Sequence, residues 1–222
     1  CLHESPQSGN EFLHFQPVIG ADRRVLCPDI PGYGASDGPF NQPEIDDYAG
    51  AFADALTSLG YGAGRGGPVD ILGFHTGNAI AAALAGQRPD LVRSLVMPGT
   101  PYFPPPVREQ HRRRYGQPRP FHDPDYVGST YRTLVLRIDV PADSPEAQRD
   151  SVLPLHRRYE TFVTRLRPGT RSHFGFEAVF RYDLERALTA ITQPVLLPVL
   201  NEWLDEPTRQ AASLSTSHAG LP

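Results

Sequence analysis

The sequence has no lysine: all 21 basic residues are arginine. Cysteine is nearly absent too, with Cys1 at the start and Cys27 inside the apolar run Arg24-Val25-Leu26-Cys27-Pro28. Two cysteines so placed indicate no disulfide framework, and Cys27 reads as a small buried hydrophobe. Long apolar runs are missing. The longest, near Pro194 to Leu200, falls far short of the ~20 residues that cross a bilayer. Positive charge is not in excess: 21 basic against 25 acidic residues leave a formal charge of −4, so neither nucleic acid nor an anionic membrane is expected as a partner. His111, His122, His156 and His173 show no metal-ligand spacing and have no cysteine nearby, so no metal is expected. An initiating methionine, a signal peptide and a lipidation motif are all lacking, and the chain opens on a motif that ordinarily follows a strand, which predicts further residues before Cys1. These absences leave a small molecule as the expected partner and the cytoplasm as the default address.

What is present is a rhythm. Val25 to Cys27 reads as a short buried strand that leaves through the turn-rich stretch Pro28 to Gly34. Ile45, Tyr48, Ala49, Phe52, Leu56 and Leu59 recur at helical spacing until Gly60 stops the pattern. Val69-Asp70-Ile71-Leu72 reads as the next strand, followed by a Gly-bounded turn, an Ala-rich helix from Asn78 to Gln87 and another strand from Leu91 to Met97, ended by Pro98-Gly99-Thr100-Pro101. Strands alternating with helices predict an α/β fold with a mostly parallel sheet covered on both faces. From Pro101 to about Gln193 the rhythm breaks into a Pro- and Arg-rich segment with amphipathic stretches near Leu153 to Leu166 and Phe176 to Ile191, read as an inserted, largely helical lid. Gln193 to Leu200 returns to strand character, weakened by Pro198, and the small, polar tail from Ala211 to Pro222 is assigned no structure.

The segment that carries chemistry is Ile71-Leu72-Gly73-Phe74-His75-Thr76-Gly77-Asn78. It has the spacing of a G-x-S-x-G nucleophile elbow, in which the central residue sits on a strained strand-to-helix turn. Gly73 and Gly77 stand where the turn needs residues without bulk.

With this motif the chain resembles the α/β-hydrolase superfamily, and three others match in the same order. Leu2-His3-Glu4-Ser5-Pro6 is similar to the His-Gly-x-Pro loop after the third strand. Pro28 to Asp37 is similar to the D-x-P-G-x-G-x-S-D loop after the fourth. Gln193 to Leu200 resembles the strand before the acid, with Glu202 to Thr208 in the acid loop. The resemblance implies an α/β-hydrolase fold divided into a first core part (1–100), a helical lid with its connections (101–192) and a last core part (193–222).

It also implies site residues. His75 stands at the nucleophile position, which removes the hydroxyl from which a serine triad starts. The acid falls on Glu202 or Asp205, according to register. The backbone N–H groups of Ser5 and Thr76 occupy the oxyanion-hole positions, and His3, Glu4 and Phe74 border the pocket. Glu4, in place of the usual glycine, puts a carboxylate near His75. Only His218 is available beyond the acid loop as a general base. Asp29 and Asp37 are expected to fix their loop, Arg112 to Arg114 to form a solvated helix face, and Phe103, Phe176, Phe180 and Tyr182 to line the lid.

The function so implied is cofactor-free hydrolysis of an ester, lactone or C–C bond in a small apolar carbonyl compound. His75 would either attack the acyl group or act as a base titrating near neutral pH. The alternatives are non-hydrolytic chemistry on the same scaffold (decarboxylase, lyase or cofactor-free oxygenase) and non-catalytic binding of a small ligand.

Overall fold

A computed structural model describes residues 1–64, 66–138, 140, 153–214 and 218–219. Its centre is a parallel sheet of four strands, β1 (Val69–Leu72), β2 (Val92–Val96), β3 (Val195–Leu196) and β4 (His218–Ala219), arranged in that order. The chain start extends the β1 edge: the Leu2 N–H donates to the Leu72 carbonyl at 2.8 Å, and the Phe74 N–H donates back to the Leu2 carbonyl at 3.0 Å.

The helices beside the sheet follow from their residue patterns. Helix Ile45–Ser58 starts where Asp47 Oδ2 accepts from the Glu44 N–H at 2.8 Å and ends before Gly60, whose φ of +84° suits glycine. It buries Ile45, Tyr48, Ala49, Phe52 and Ala53. Helix Thr76–Gln87 is buried nearly all round from Thr76 to Ala85, and its run of alanines lets it lie between the sheet and the helices on either side. Ile71, Leu95, Met97, Val195 and Leu197 complete the core under it.

The described residues between β2 and β3 form the helices Pro105–Tyr115, Pro124–Tyr131 running into a π-helical stretch Arg132–Leu136, then Leu155–Leu166, Phe174–Arg181 and Leu184–Ala190. The amphipathic stretch from Phe176 to Ile191 is two helices. Tyr182 turns extended and Asp183 caps the second, accepting from the Arg186 N–H at 3.1 Å. Residues 141–152, inside the segment read as a lid, lie outside the described residues.

Three strand assignments change. Val25 to Cys27 joins no ladder among the described residues; the hydrogen bond to this stretch from the chain start is from the Cys1 ammonium to the Leu26 carbonyl, 2.7 Å. One such bond does not make a strand. Of Gln193 to Leu200 only Val195–Leu196 pairs, because Pro194 and Pro198 have no N–H to give to a neighbour. The tail left without structure supplies β4, whose His218–Ala219 pair with Val195–Leu196. Ladder bonds are made by the backbone, so small side chains do not prevent them.

Candidate active site

The elbow turn is built by two close approaches. At Gly77 a Cβ would collide with the Leu2 carbonyl oxygen, and at Gly73 it would lie 2.8 Å from the backbone N and Cα of Asn78. Only glycine lets the elbow helix rise this close to the strand it follows. Asn78 Nδ2 then ties the helix start to the Pro98 carbonyl at 2.6 Å. Between the two glycines His75 takes φ 46° and ψ −108°, a strained conformation for a residue with a side chain.

The strain sets the imidazole between two carboxylates. Nδ1 lies 2.6 Å from Glu4 Oε2, and Nε2 lies 3.0 and 3.1 Å from the two oxygens of Glu202. All three side chains are about nine-tenths buried. Phe74 stacks on the imidazole with ring centres 4.2 Å apart, and Trp203 meets its edge at 6.0 Å. Burial pushes the His75 pKa down, but the charge of Glu4 and the hydrogen bonds to Glu202 and Glu4 outweigh it and raise the value to about 9.

That changes the chemistry open to the ring. The sequence predicts an imidazole titrating near neutrality; in the structure a carboxylate at each ring nitrogen favours the protonated form, with both N–H groups donating. A protonated ring has no lone pair to attack a carbonyl or take a proton. The obstacle is the pair of acceptors, one on each nitrogen.

The other site residues divide. Of the two candidate acids, Glu202 meets His75. Asp205 does not: it begins helix Asp205–Ala212 and accepts from the Leu200 N–H at 3.2 Å. Of the two amides expected as oxyanion donors, the Ser5 N–H reaches Thr76 Oγ1 at 3.4 Å, while the Thr76 N–H is the first of its helix and has no intrahelical acceptor. His3 is buried away from the reacting groups. Its Nε2 accepts from the Ile30 N–H and its Nδ1 donates to the Glu4 carbonyl, both at 2.8 Å, which fixes the neutral tautomer, and burial lowers its pKa. Asp29 fixes its loop by accepting from the Gly9 and Ala35 N–H groups, both at 2.7 Å. Arg112 is not a solvated face residue but bridges Glu109 and Glu177. The backbone of His218 lies in β4, and its side chain lies outside the described structure.

Sequence reasoning missed two contributors. Gly99, read only as a strand end, has φ +59°, and a Cβ there would fall on Glu202 Oε1 and within 2.5 to 2.7 Å of the His75 ring. Its absent side chain makes room for the ion pair. Trp203 was passed over as part of the acid loop; nothing in local sequence marks it as a neighbour of His75. Among the described residues no group of three His, Cys, Asp or Glu is arranged to hold a metal ion, and no helix is long and apolar enough to cross a membrane.

A family model for the alpha/beta hydrolase fold matches residues 1–197, the span that holds this elbow and most of the parallel sheet. The chain belongs to the α/β-hydrolase fold family. Relatives include an AB hydrolase superfamily protein of Gibberella zeae, 34% identical over 47% of this chain and 36% of its own length. A pimeloyl-[acyl-carrier protein] methyl ester esterase of Neisseria meningitidis is 37% identical over 43% of this chain and 34% of its own. These matches span about a third of the relatives' length. Among solved structures, the enol-lactonase of Burkholderia xenovorans LB400 superposes with a TM-score of 0.73 at 16% identity, over 99% of this chain and 80% of that one. A thermophilic esterase of Thermogutta terrifontis gives 0.70 at 17%, over 99% and 78%. At these identities the structural likeness concerns the fold.

Proposed function

We propose that this α/β-hydrolase-fold chain hydrolyses an ester, lactone or C–C bond of a small carbonyl compound, with His75 as general acid and Glu202 as general base. The observation that carries the assignment of roles is the His75 ring held between Glu4 and Glu202, one carboxylate at each nitrogen. The relatives' names support the reaction class, being those of an esterase and, for a protein of Pseudomonas sp. (strain CF600) that is 33% identical over 42% of this chain and 31% of its own, a 2-hydroxymuconate semialdehyde hydrolase.

Water attacks the substrate carbonyl directly and gives a proton to a Glu202 oxygen as the new C–O bond forms. The tetrahedral oxyanion rests on the Thr76 and Ser5 N–H groups. It collapses with loss of the leaving oxygen or carbon, which takes its proton from His75. Glu202, now a carboxylic acid within 3.0 Å of Nε2, returns that proton to the ring. Glu4 holds the ring throughout by its 2.6 Å contact with Nδ1. The cycle consumes one water and regenerates the imidazolium. Within the segment 101–192, helices Pro105–Tyr115 and Phe174–Arg181 serve as the lid of this centre.

The test is turnover of activated aryl esters by the wild type, His75→Ala and Glu202→Gln, with intact-mass analysis of quenched samples and hydrolysis in labelled water. Expected are a loss of about 10²-fold or more in both variants, the range of acid–base catalysis, label in the acid product and no covalent adduct. An acyl adduct on His75, or unchanged turnover in His75→Ala, would overturn the mechanism.

One observation favours a second reading, non-catalytic binding: both ring nitrogens are already engaged within the protein. Saturable ligand binding with no turnover of any ester in the panel would establish it.

A further inference from the structure

The loop Pro28 to Asp37 takes no part in the chemistry proposed above, yet Tyr33 within it is buried, and its hydroxyl meets a helix start 142 residues further on.

Helix Phe174–Arg181 does not satisfy its own first turn. Its leading N–H groups have no intrahelical acceptor, and its N-cap residue, His173, makes no side-chain capping bond. The Tyr33 hydroxyl supplies what is lacking: it accepts from the Gly175 N–H at 2.6 Å and donates to the Ser172 carbonyl at 3.3 Å. The phenol itself is fixed from the core side. The Tyr33 N–H donates to the Ile30 carbonyl at 2.9 Å, and the ring meets His3 edge to face with centres 6.2 Å apart.

The same junction touches the oxyanion loop. A Cβ at Gly175 would collide with the Ser5 hydroxyl and lie 2.8 Å from that of Tyr33. Both hydroxyls crowd onto the one residue of the helix that has no side chain, and glycine alone admits them. Ser5 is 4% exposed. Its side chain is packed against the helix start while its backbone N–H reaches Thr76 Oγ1 at 3.4 Å. A shift of the helix start displaces this side chain, and the amide of the same residue moves with it.

We infer that Tyr33 is a positioning residue for the oxyanion site: by latching the start of helix Phe174–Arg181 against Ser5, it makes the seating of this helix and the placing of the Ser5 N–H one event. The inference rests on the hydrolase reading above, in which that amide receives the tetrahedral oxyanion. Tyr33 acts through Gly175 and Ser5.

Tyr33→Phe keeps the ring and removes the latch. Glu4-Ser5 is the only Glu-Ser pair in the sequence, so labelling glutamate at its carbonyl carbon and serine at nitrogen gives a single coupled resonance, that of the Ser5 N–H. In the full chain its hydrogen exchange should speed by about tenfold or more in Tyr33→Phe, as a local opening does. Turnover of activated aryl esters should fall about tenfold in kcat with KM unchanged, short of the ~10²–10³ for outright loss of an oxyanion donor. Ser5→Ala keeps the amide and cuts the same contact from the other side; it should lose as much, and serves if Tyr33→Phe does not fold. The double variant should lose no more than either single one, because both break one contact. A tyrosine that only stabilises the fold would leave kcat as it is. Unchanged Ser5 exchange, unchanged kcat in an active enzyme, a rise in KM in place of the fall in kcat, or additive losses would each overturn the latch. A wild type that turns over no ester rejects the hydrolase reading, and the Ser5 amide then decides the latch alone: faster exchange in Tyr33→Phe upholds it, unchanged exchange overturns it.

Discussion

An imidazolium wedged between Glu4 and Glu202 binds its proton more tightly in the folded chain than in the unfolded one, so the His75 titration is also a statement about stability. The folded pKa is about 9 and the reference value 6.5. A group whose folded pKa is raised contributes fully below its unfolded pKa and loses that contribution as pH climbs through the folded one. Stability in urea should therefore fall between pH 6.5 and 9, by on the order of 3 kcal/mol at about 1.4 kcal/mol per unit. His75→Asn, a residue that tolerates positive φ, removes the cation and leaves two buried carboxylates facing each other. It should cost about 3–5 kcal/mol at pH 6.5, as breaking a buried ion pair does, and flatten the pH dependence across that window. A wild-type profile that stays level from pH 6.5 to 9 would show that the ring is not held protonated.

At the scale of the element, the elbow helix contrasts two glycines in one stretch of twelve residues. A Cβ at Gly77 would drive into the Leu2 carbonyl, which is backbone and cannot swing aside; a Cβ at Gly86 would meet nothing within 4 Å. Gly77→Ala should destabilise the chain by more than 2 kcal/mol, of the order of about 1–3 kcal/mol or more for overpacking against a fixed neighbour, whereas Gly86→Ala should stabilise it by about 0.5–1 kcal/mol through helix propensity alone. Thermal unfolding of the two variants checks both signs. The same contrast explains what could be read from the sequence. Gly73-Phe74-His75-Thr76-Gly77 was legible because a short-range turn demands glycine at set positions, and helix Ile45–Ser58 was legible because its apolar face repeats every three to four residues. Val25 to Cys27 was misread because ladder bonds depend on a partner that local pattern does not specify. The break at Tyr182-Asp183 was missed because apolar spacing on both sides of it kept the same phase.

Across the whole molecule, the site is assembled from residues 4, 75 and 202, which meet only once the sheet has formed. Their proximity is a property of strand order, so the choice between Glu202 and Asp205 had no answer in the acid loop itself. The same long-range assembly joins the helical segment to the core through aromatic rings. Phe103 stacks near Trp203 at 6.1 Å, His111 lies 4.5 Å from Phe103 and 5.5 Å from Phe180, and Tyr115 continues the cluster 5.8 Å from His111. Trp203, the one tryptophan in the chain, sits at the end of this cluster nearest His75. Its emission therefore reports whether helices Pro105–Tyr115 and Phe174–Arg181 remain seated on the core, while far-UV circular dichroism reports all helices together. If the cluster makes one cooperative unit, the two signals should share a midpoint in urea. Phe180→Ala, which empties a buried ring from the middle of the cluster, should lower both midpoints together by about 3–5 kcal/mol of stability. A tryptophan transition that precedes the loss of helix, in the wild type or in Phe180→Ala alone, would mean that the helical segment lifts from the core as a separate body, and that access to His75 is governed by that opening.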